Sequence, residues 1–210
     1  MHRITRYGRA CASLLALLIS AAAPLLADDA PKLPEGGDKL LGDKTPEAYV
    51  LRTKKGATGE KTLETADAGL PFTQFTRVKV LEATGKPWDA ALDIDLASKV
   101  ANGDLVFLRF YYRASPGVEP VAAKLTVRLT EWKEPYTKII EKKVDGTANW
   151  QRCDLSLPAT SDIVPENSKI TFMLGAAKQS MDIAGIELVD YHQAVTKDAL
   201  PPDGEFPVTP

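Results

Sequence analysis

The sequence predicts an all-β chain folded as a two-sheet antiparallel β-sandwich, and three observations predict it. Short runs rich in β-branched and aromatic residues recur between clusters of Gly, Pro, Asn and Asp. No segment after the N-terminal apolar run keeps a helical period over three turns. The stretch from Leu105 to Ala114 reads as a long central strand with two unlike faces. Successive side chains of a strand point to opposite sides, so Val106, Leu108, Phe110, Tyr112 and Ala114 share an apolar face. Phe107, Arg109, Tyr111 and Arg113 share the other. That mixture of guanidinium and aromatic groups suits a sugar-binding surface and equally an ordinary solvated sheet face.

Taken in order, the chain opens with Arg3, Arg6 and Arg9, an apolar run from Ala10 to Leu26, and Ala27 before Asp28 and Asp29. A basic start, an apolar middle and a small residue at a cleavage point predict a signal peptide over 1–27. The expected location is secreted or periplasmic, with no membrane attachment after cleavage. Ser13, Ser20 and Pro24 interrupt a run already short for a bilayer span of about 20 residues. Residues 28–45, rich in Pro, Gly, Asp and Lys, read as a flexible leader, and 192–210, with Pro201, Pro202, Pro207 and Pro210, as a Pro-rich tail. The folded unit is expected over 46–191.

Within that unit, strands are expected near Tyr49 to Thr53, Thr62 to Thr65, Phe72 to Leu81, Ala90 to Leu96, Leu105 to Ala114, Lys124 to Thr130, Lys138 to Val144, Gln151 to Leu157, Lys169 to Leu174 and Ser180 to Val189. Alternation gives the inward sets: Val78 and Val80; Leu92, Ile94 and Leu96; Leu125, Val127 and Leu129; Cys153, Leu155 and Leu157; Ile170, Phe172 and Leu174. The last strand changes phase, since Met181 and Ile183 are odd-numbered but Ile186 and Leu188 even. A β-bulge at Ala184 and Gly185 would turn both pairs inward.

Composition excludes several function classes. Formal charge is −2, and loss of the three N-terminal arginines makes it more acidic, so nucleic acid is not an expected partner. Beyond the signal, Cys153 is the one cysteine and His192 the one histidine. No disulfide can form within that part, and no imidazole cluster exists for a zinc site, a Ser-His-Asp triad or a Cys-His pair. Cys153 shares a strand face with Leu155 and Leu157 and reads as a buried small hydrophobe. The chain is therefore expected not to be an enzyme; a two-carboxylate glycosidase would need a facing acid pair that only the fold could reveal. No cofactor is expected. Asp93 with Asp95, and Asp182 with Glu187 and Asp190, leave room for a structural calcium ion to which no ligands are assigned.

The aromatic residues carry the sharper signal. Trp88 follows Gly85-Lys86-Pro87, Trp132 sits in Glu131-Trp132-Lys133-Glu134-Pro135, and Tyr136 opens the next strand. The apolar face of a pyranose stacks on such rings while its hydroxyls meet polar neighbours. A sandwich tryptophan can also plug the end of the core, which is the reading for Trp150.

Six pieces in order resemble a known family: Pro87-Trp88-Asp89; Leu108-Arg109-Phe110-Tyr111-Tyr112-Arg113; Glu134-Pro135-Tyr136-Thr137-Lys138; Trp150-Gln151-Arg152; Phe172-Met173-Leu174-Gly175; and Ile183 through Tyr191. The succession resembles carbohydrate-binding modules of the family 4, 9 and 22 type. The resemblance implies a galactose-binding-like jelly roll, non-catalytic, that binds polysaccharide. It also implies ligand-binding roles for Arg109, Tyr111, Tyr136 and Gln179, to which the turn tryptophans Trp88 and Trp132 are added as stacking residues. The sequence departs from the family's pattern at Ala91, Met173 and Ala176, where such modules often carry an amide, a histidine and an aromatic. Similar modules are often fused to a hydrolase, so a separate hydrolase or an envelope protein is an expected partner. The alternative is a structural or protein-interaction sandwich of the cell envelope.

Overall fold

The computed structural model describes residues 30–117, 122–134 and 136–208, so the segment read as a signal peptide lies outside the described residues. Twelve strands follow in order: β1 (Asp38–Lys39), β2 (Val50–Thr53), β3 (Thr58–Thr65), β4 (Gln74–Glu82), β5 (Ala90–Asp95), β6 (Leu105–Ala114), β7 (Ala123–Glu131), β8 (Lys138–Gly146), β9 (Gln151–Pro158), β10 (Ser168–Met173), β11 (Gln179–Asp190) and β12 (Gly204–Pro207). Helix among the described residues is confined to short 3-10 turns. One sheet runs β12-β9-β6-β11-β4-β3, with β1 pairing to β11, and the other runs β2-β5-β10-β7-β8. Every pairing is antiparallel, and the two sheets form a β-sandwich.

The core lies between the sheets. Val106, Leu108, Phe110, Tyr112 and Ala114 of β6 meet Leu92, Ile94, Leu125, Val127, Leu129, Ile170 and Phe172 of the facing sheet. Phe110 packs edge-on against Phe172 at 5.4 Å between ring centres, an arrangement aromatic quadrupoles favour. Cys153 is fully buried in the same cluster. Burial pushes its thiol up to about 12, so it serves as packing and not as a nucleophile.

The bulge in β11 falls between Ala184 and Glu187 in its pairing with β6, and it brings Met181, Ile183 and Leu188 into one core. Gly185 makes the switch at φ +52°, and a Cβ there would stand 2.7 Å from Cδ2 of Tyr111. Gly185→Val therefore combines left-handed strain with a clash. The expected loss is about 1 to 3 kcal/mol, read as a lower urea midpoint; an unchanged midpoint would show that β11 can be rephased without glycine.

The two ends of the chain correct the expected domain limits. The segment read as a leader contributes β1, where Asp38 pairs with Asp190 and Lys39 with Val189. The segment read as a tail contributes β12, which runs from Gly204 opposite Asp154 to Pro207 opposite Gln151. Proline obscured the latter, yet on an edge strand its missing N–H costs nothing. Both ends also cover the outer face of the larger sheet. Leu33, Val195 and Leu200 pack with Leu105, Phe107 and Tyr191, and Val208 packs with Phe75, Tyr111 and Trp150.

His192, just past β11, fastens β1. Its Nε2 lies 3.0 Å from Asp38, and its Nδ1 lies 3.3 Å from both Asp104 and Asp190. Hydrogen bonding to Asp104, then to Asp38, raises the His192 pKa above its ordinary value. Burial pushes the Asp190 carboxyl up to about 6, reinforced by the Asp104 charge. A raised histidine pKa stabilises the folded form fully below the unfolded pKa of about 6.5, and that contribution disappears as pH rises through the higher folded value. Proteolysis after Lys39 is therefore expected to be slower at about pH 6 than at about pH 9, after correction for the protease's own pH profile. A flat profile would sink this role for His192.

Candidate functional site

The outer face of the smaller sheet remains open, and strand register assembles it in three rungs. The first carries Lys138, Thr130, Lys169 and Asp95. The second carries Glu141, Arg128, Thr171, Asp93 and Val50, and the third Lys143, Thr126, Met173, Ala91 and Arg52. These are the outward partners of the apolar residues that fill the core, since side chains alternate along each strand. Above this floor is a groove of about 650 Å³ lined by Trp88, Trp132 and Tyr136 together with cationic side chains. Beyond Met173 it meets a second depression of about 340 Å³ beside Lys124, Lys143 and Ala176.

Each aromatic is fixed by its local backbone. Trp88 lies in the 3-10 turn Pro87–Asp89, where Thr84 donates its hydroxyl proton to Asp89 at 2.7 Å and Arg52 donates to the Trp88 carbonyl at 2.9 Å. Gly175 lets this turn sit close. Its N–H donates to the carbonyls of Pro87 and Ala90 at 2.9 and 3.1 Å, and a Cβ there would stand 2.6 Å from the Ala90 nitrogen. Trp132 follows β7, tied by its N–H to the Asn167 carbonyl at 2.8 Å. Lys133 places its ammonium 4.8 Å from the Trp132 ring centre. Tyr136 closes the turn between β7 and β8, donating its N–H to the Lys133 carbonyl at 2.7 Å. Its φ of +56° is uncommon for a residue with a Cβ.

Charge on the floor is arranged in shared pairs. Asp93 accepts from Arg52 at 2.7 Å and from Lys169 at 2.8 Å. Burial raises the Asp93 carboxyl, but the hydrogen bonds and charges of Arg52 and Lys169 outweigh it and hold the group below its usual range. Glu141 accepts from Lys138 at 3.0 Å and pairs with Arg128 at 2.9 Å. Hydrogen bonding to Lys138, aided by Arg128, lowers the Glu141 pKa. One carboxylate thus serves two cations at each position.

Of the six residues expected to bind ligand, the structure brings three together: Trp88, Trp132 and Tyr136, at 44%, 46% and 57% exposure. It separates the other three, which are buried at 5%, 4% and 3% for Arg109, Tyr111 and Gln179. Arg109 donates to both oxygens of Asp154 at 2.8 and 2.9 Å and to the Pro31 carbonyl at 3.1 Å. Tyr111 packs on Phe72 with ring centres 5.2 Å apart. The Gln179 amide bridges backbone, accepting from Lys124 N–H at 2.6 Å and donating to the carbonyls of Lys124 and Leu174 at 2.8 and 2.6 Å. Arg109 and Tyr111 are covered by the terminal segments, which close the face that the alternation of β6 left open, whereas Gln179 is turned into the gap between the sheets and ties β11 to Lys124 of β7. Arg52, Lys54, Arg128, Lys138 and Lys169 were missed; reading the outward sets of β2, β7, β8 and β10 as closely as the inward ones would have found four of them, all but Lys54.

Two of the carboxylates considered for calcium, Asp182 and Asp93, are engaged otherwise. Asp182 takes Arg77 at 2.7 and 3.0 Å, Arg113 at 2.8 Å and the Ser115 hydroxyl at 2.7 Å, and Asp93 is shared as described. Among the described residues, the group with metal-ligand geometry is Asp104, Asp190 and His192, already joined by ion pairing.

A two-sheet antiparallel sandwich with an open aromatic groove across one sheet defines a β-sandwich module. No protein-family model and no curated protein matches the chain by sequence. Among solved structures it is similar to a family 4 carbohydrate-binding module at 13% identity and a TM-score of 0.53, over 68% of this chain and 86% of that one. It is also similar to the N-terminal cellulose-binding domain of β-1,4-glucanase C from Cellulomonas fimi, at 15% identity and a TM-score of 0.50, over 70% and 90%. An arabinose-bound α-L-arabinofuranosidase, MgGH51, matches at 15% identity and a TM-score of 0.52, over 72% of this chain but 25% of the enzyme. The chain has the fold of carbohydrate-binding modules of the family 4 type. No helix among the described residues is long and apolar enough to cross a membrane.

Proposed function

We propose that this protein is a secreted, non-catalytic module that binds a polysaccharide chain along the groove of the smaller sheet. The observation that carries the reading is the convergence of Trp88, Trp132 and Tyr136, all exposed, on one open trough. Rings held by backbone ties present flat apolar faces at little entropic cost, as sugar stacking requires. Thr130 and Arg128 on the floor offer polar partners for hydroxyls, and Met173 adds an apolar contact at the next rung. Affinity is expected in the micromolar to millimolar range, about −8 to −4 kcal/mol, because the anchors are few.

The test is native affinity electrophoresis of the chain through gels cast with xylan, β-glucan, mannan or pectin. Retardation in at least one supports the reading. Unchanged mobility in all of them overturns it and favours the protein-interaction alternative.

A further inference from the structure

We infer that the groove selects an anionic glycan, one whose sugar units carry carboxylates, over a neutral chain of the same backbone. The inference rests on the proposed polysaccharide reading and adds the chemical class of the ligand.

The charge inventory carries it. Five cationic side chains, Arg52, Lys54, Arg128, Lys138 and Lys169, line the groove against one lining carboxylate, Glu131. Asp93 and Glu141 beneath them are each shared by two of the cations, so four cations are only half neutralised. Lys54 has no side-chain partner among the described residues, and the sum leaves two positive charges in excess. At the rim Lys133 beside Trp132 is offset by Asp95, and Glu166 lowers the excess to one positive charge. The whole chain is net −2, so a positive groove is a local departure and not a reflection of overall basicity. A neutral glycan would gain only ordinary hydrogen bonds to its hydroxyls from these cations. A carboxylate would accept charge-assisted hydrogen bonds from groups already held in position.

The pattern also fits a glycan better than a nucleic acid. The excess is small and interrupted by Asp93, Glu141, Glu131 and Asp95, whereas a phosphate backbone presents dense charge and wants a continuous basic track. Isolated carboxylates on successive sugars match spaced cations between acids.

The experiment compares native-gel retardation in polygalacturonate and in its fully methyl-esterified form, which keep one backbone and differ in the charge. A second pair sets glucuronoxylan against unsubstituted xylan, and a single-stranded oligonucleotide serves as a competitor. The expected result is at least about tenfold tighter retention by the charged member of one pair. That preference should weaken as ionic strength rises from about 0.05 to about 0.3 M and should survive oligonucleotide competition. The double variant Lys54→Gln with Lys133→Gln, which breaks no ion pair, should lose most of the preference with its melting temperature unchanged. Equal or tighter binding to the neutral members would overturn the inference and leave polysaccharide binding standing. Oligonucleotide binding as tight as the best glycan would overturn it in favour of a nucleic-acid site. Retention by no glycan would overturn both readings.

Discussion

Trp132→Ala combined with Tyr136→Ala is expected to abolish measurable glycan retention while the protein stays folded. A ring that anchors a ligand contributes about 2 kcal/mol, or roughly 30-fold in affinity, and two independent losses, about 4 kcal/mol, carry even a micromolar binder to the weak end of the range, about millimolar. Both rings are about half exposed, and neither belongs to a core cluster, so thermal unfolding should move by no more than a few degrees. Tyr136 holds a left-handed backbone, and alanine there suffers the same strain as tyrosine. Tyr136→Gly separates the two contributions: it should bind as poorly as Tyr136→Ala yet be the more stable by about 1 kcal/mol. Titration calorimetry on the polysaccharide that retards the parent protein decides the matter. Retained affinity in the double variant would remove the aromatic groove from the account.

Asp154→Asn is expected to be the most damaging single change for stability. Asp154 is buried and opposes Arg109 across the β9–β6 pairing, while Arg152 lies 3.2 Å away. Replacing the carboxylate by an amide leaves the buried Arg109 guanidinium without its two-point partner, with the more distant, half-exposed Glu187 at 3.8 Å as its remaining countercharge. Breaking such a pair from one side costs about 3 to 5 kcal/mol, or about 10 °C in melting temperature for a domain of this size. The penalty arises from the stranded charge and not from a large net gain in the intact pair. Arg109→Met together with Asp154→Leu should therefore recover part of the loss. A melting temperature within about 2 °C of the parent for Asp154→Asn would show that water reaches Arg109 and relieves it.

The same strand shows what could and could not be seen in advance. The core face of β6 was legible because five apolar side chains repeat with period two and the facing strands repeat likewise. The fate of its other face was not, since an amphipathic pattern such as Phe107-Arg109-Tyr111 is identical whether water or another segment lies above it. What covers that face is a scatter of single apolar residues, Leu33, Val195, Leu200 and Val208, in proline-rich stretches with no period to read. Trp88, Trp132 and Tyr136 were legible for the opposite reason. They sit among Pro, Gly, Lys and Glu at turns, where few neighbours can bury them. The cationic floor was written in alternation as plainly as the core, but charged residues on an outward face mean little until the fold shows which outward face remains open.

The attachment of both chain ends to one sheet, with the groove on the other, sets the path of mechanical load. Tension between any ligand held in the groove and anything joined to either end must cross the sandwich interior and cannot run along a single sheet. Near the ends it passes through the Arg109–Pro31 and Tyr191–Pro34 hydrogen bonds to the two-residue pairing of β1, and through the Val208–Trp150 bond to the four-residue pairing of β12. Peeling of these short strands would lengthen the tether while leaving the five strands of the smaller sheet undisturbed, so a pulled molecule would yield at its ends before the groove deformed.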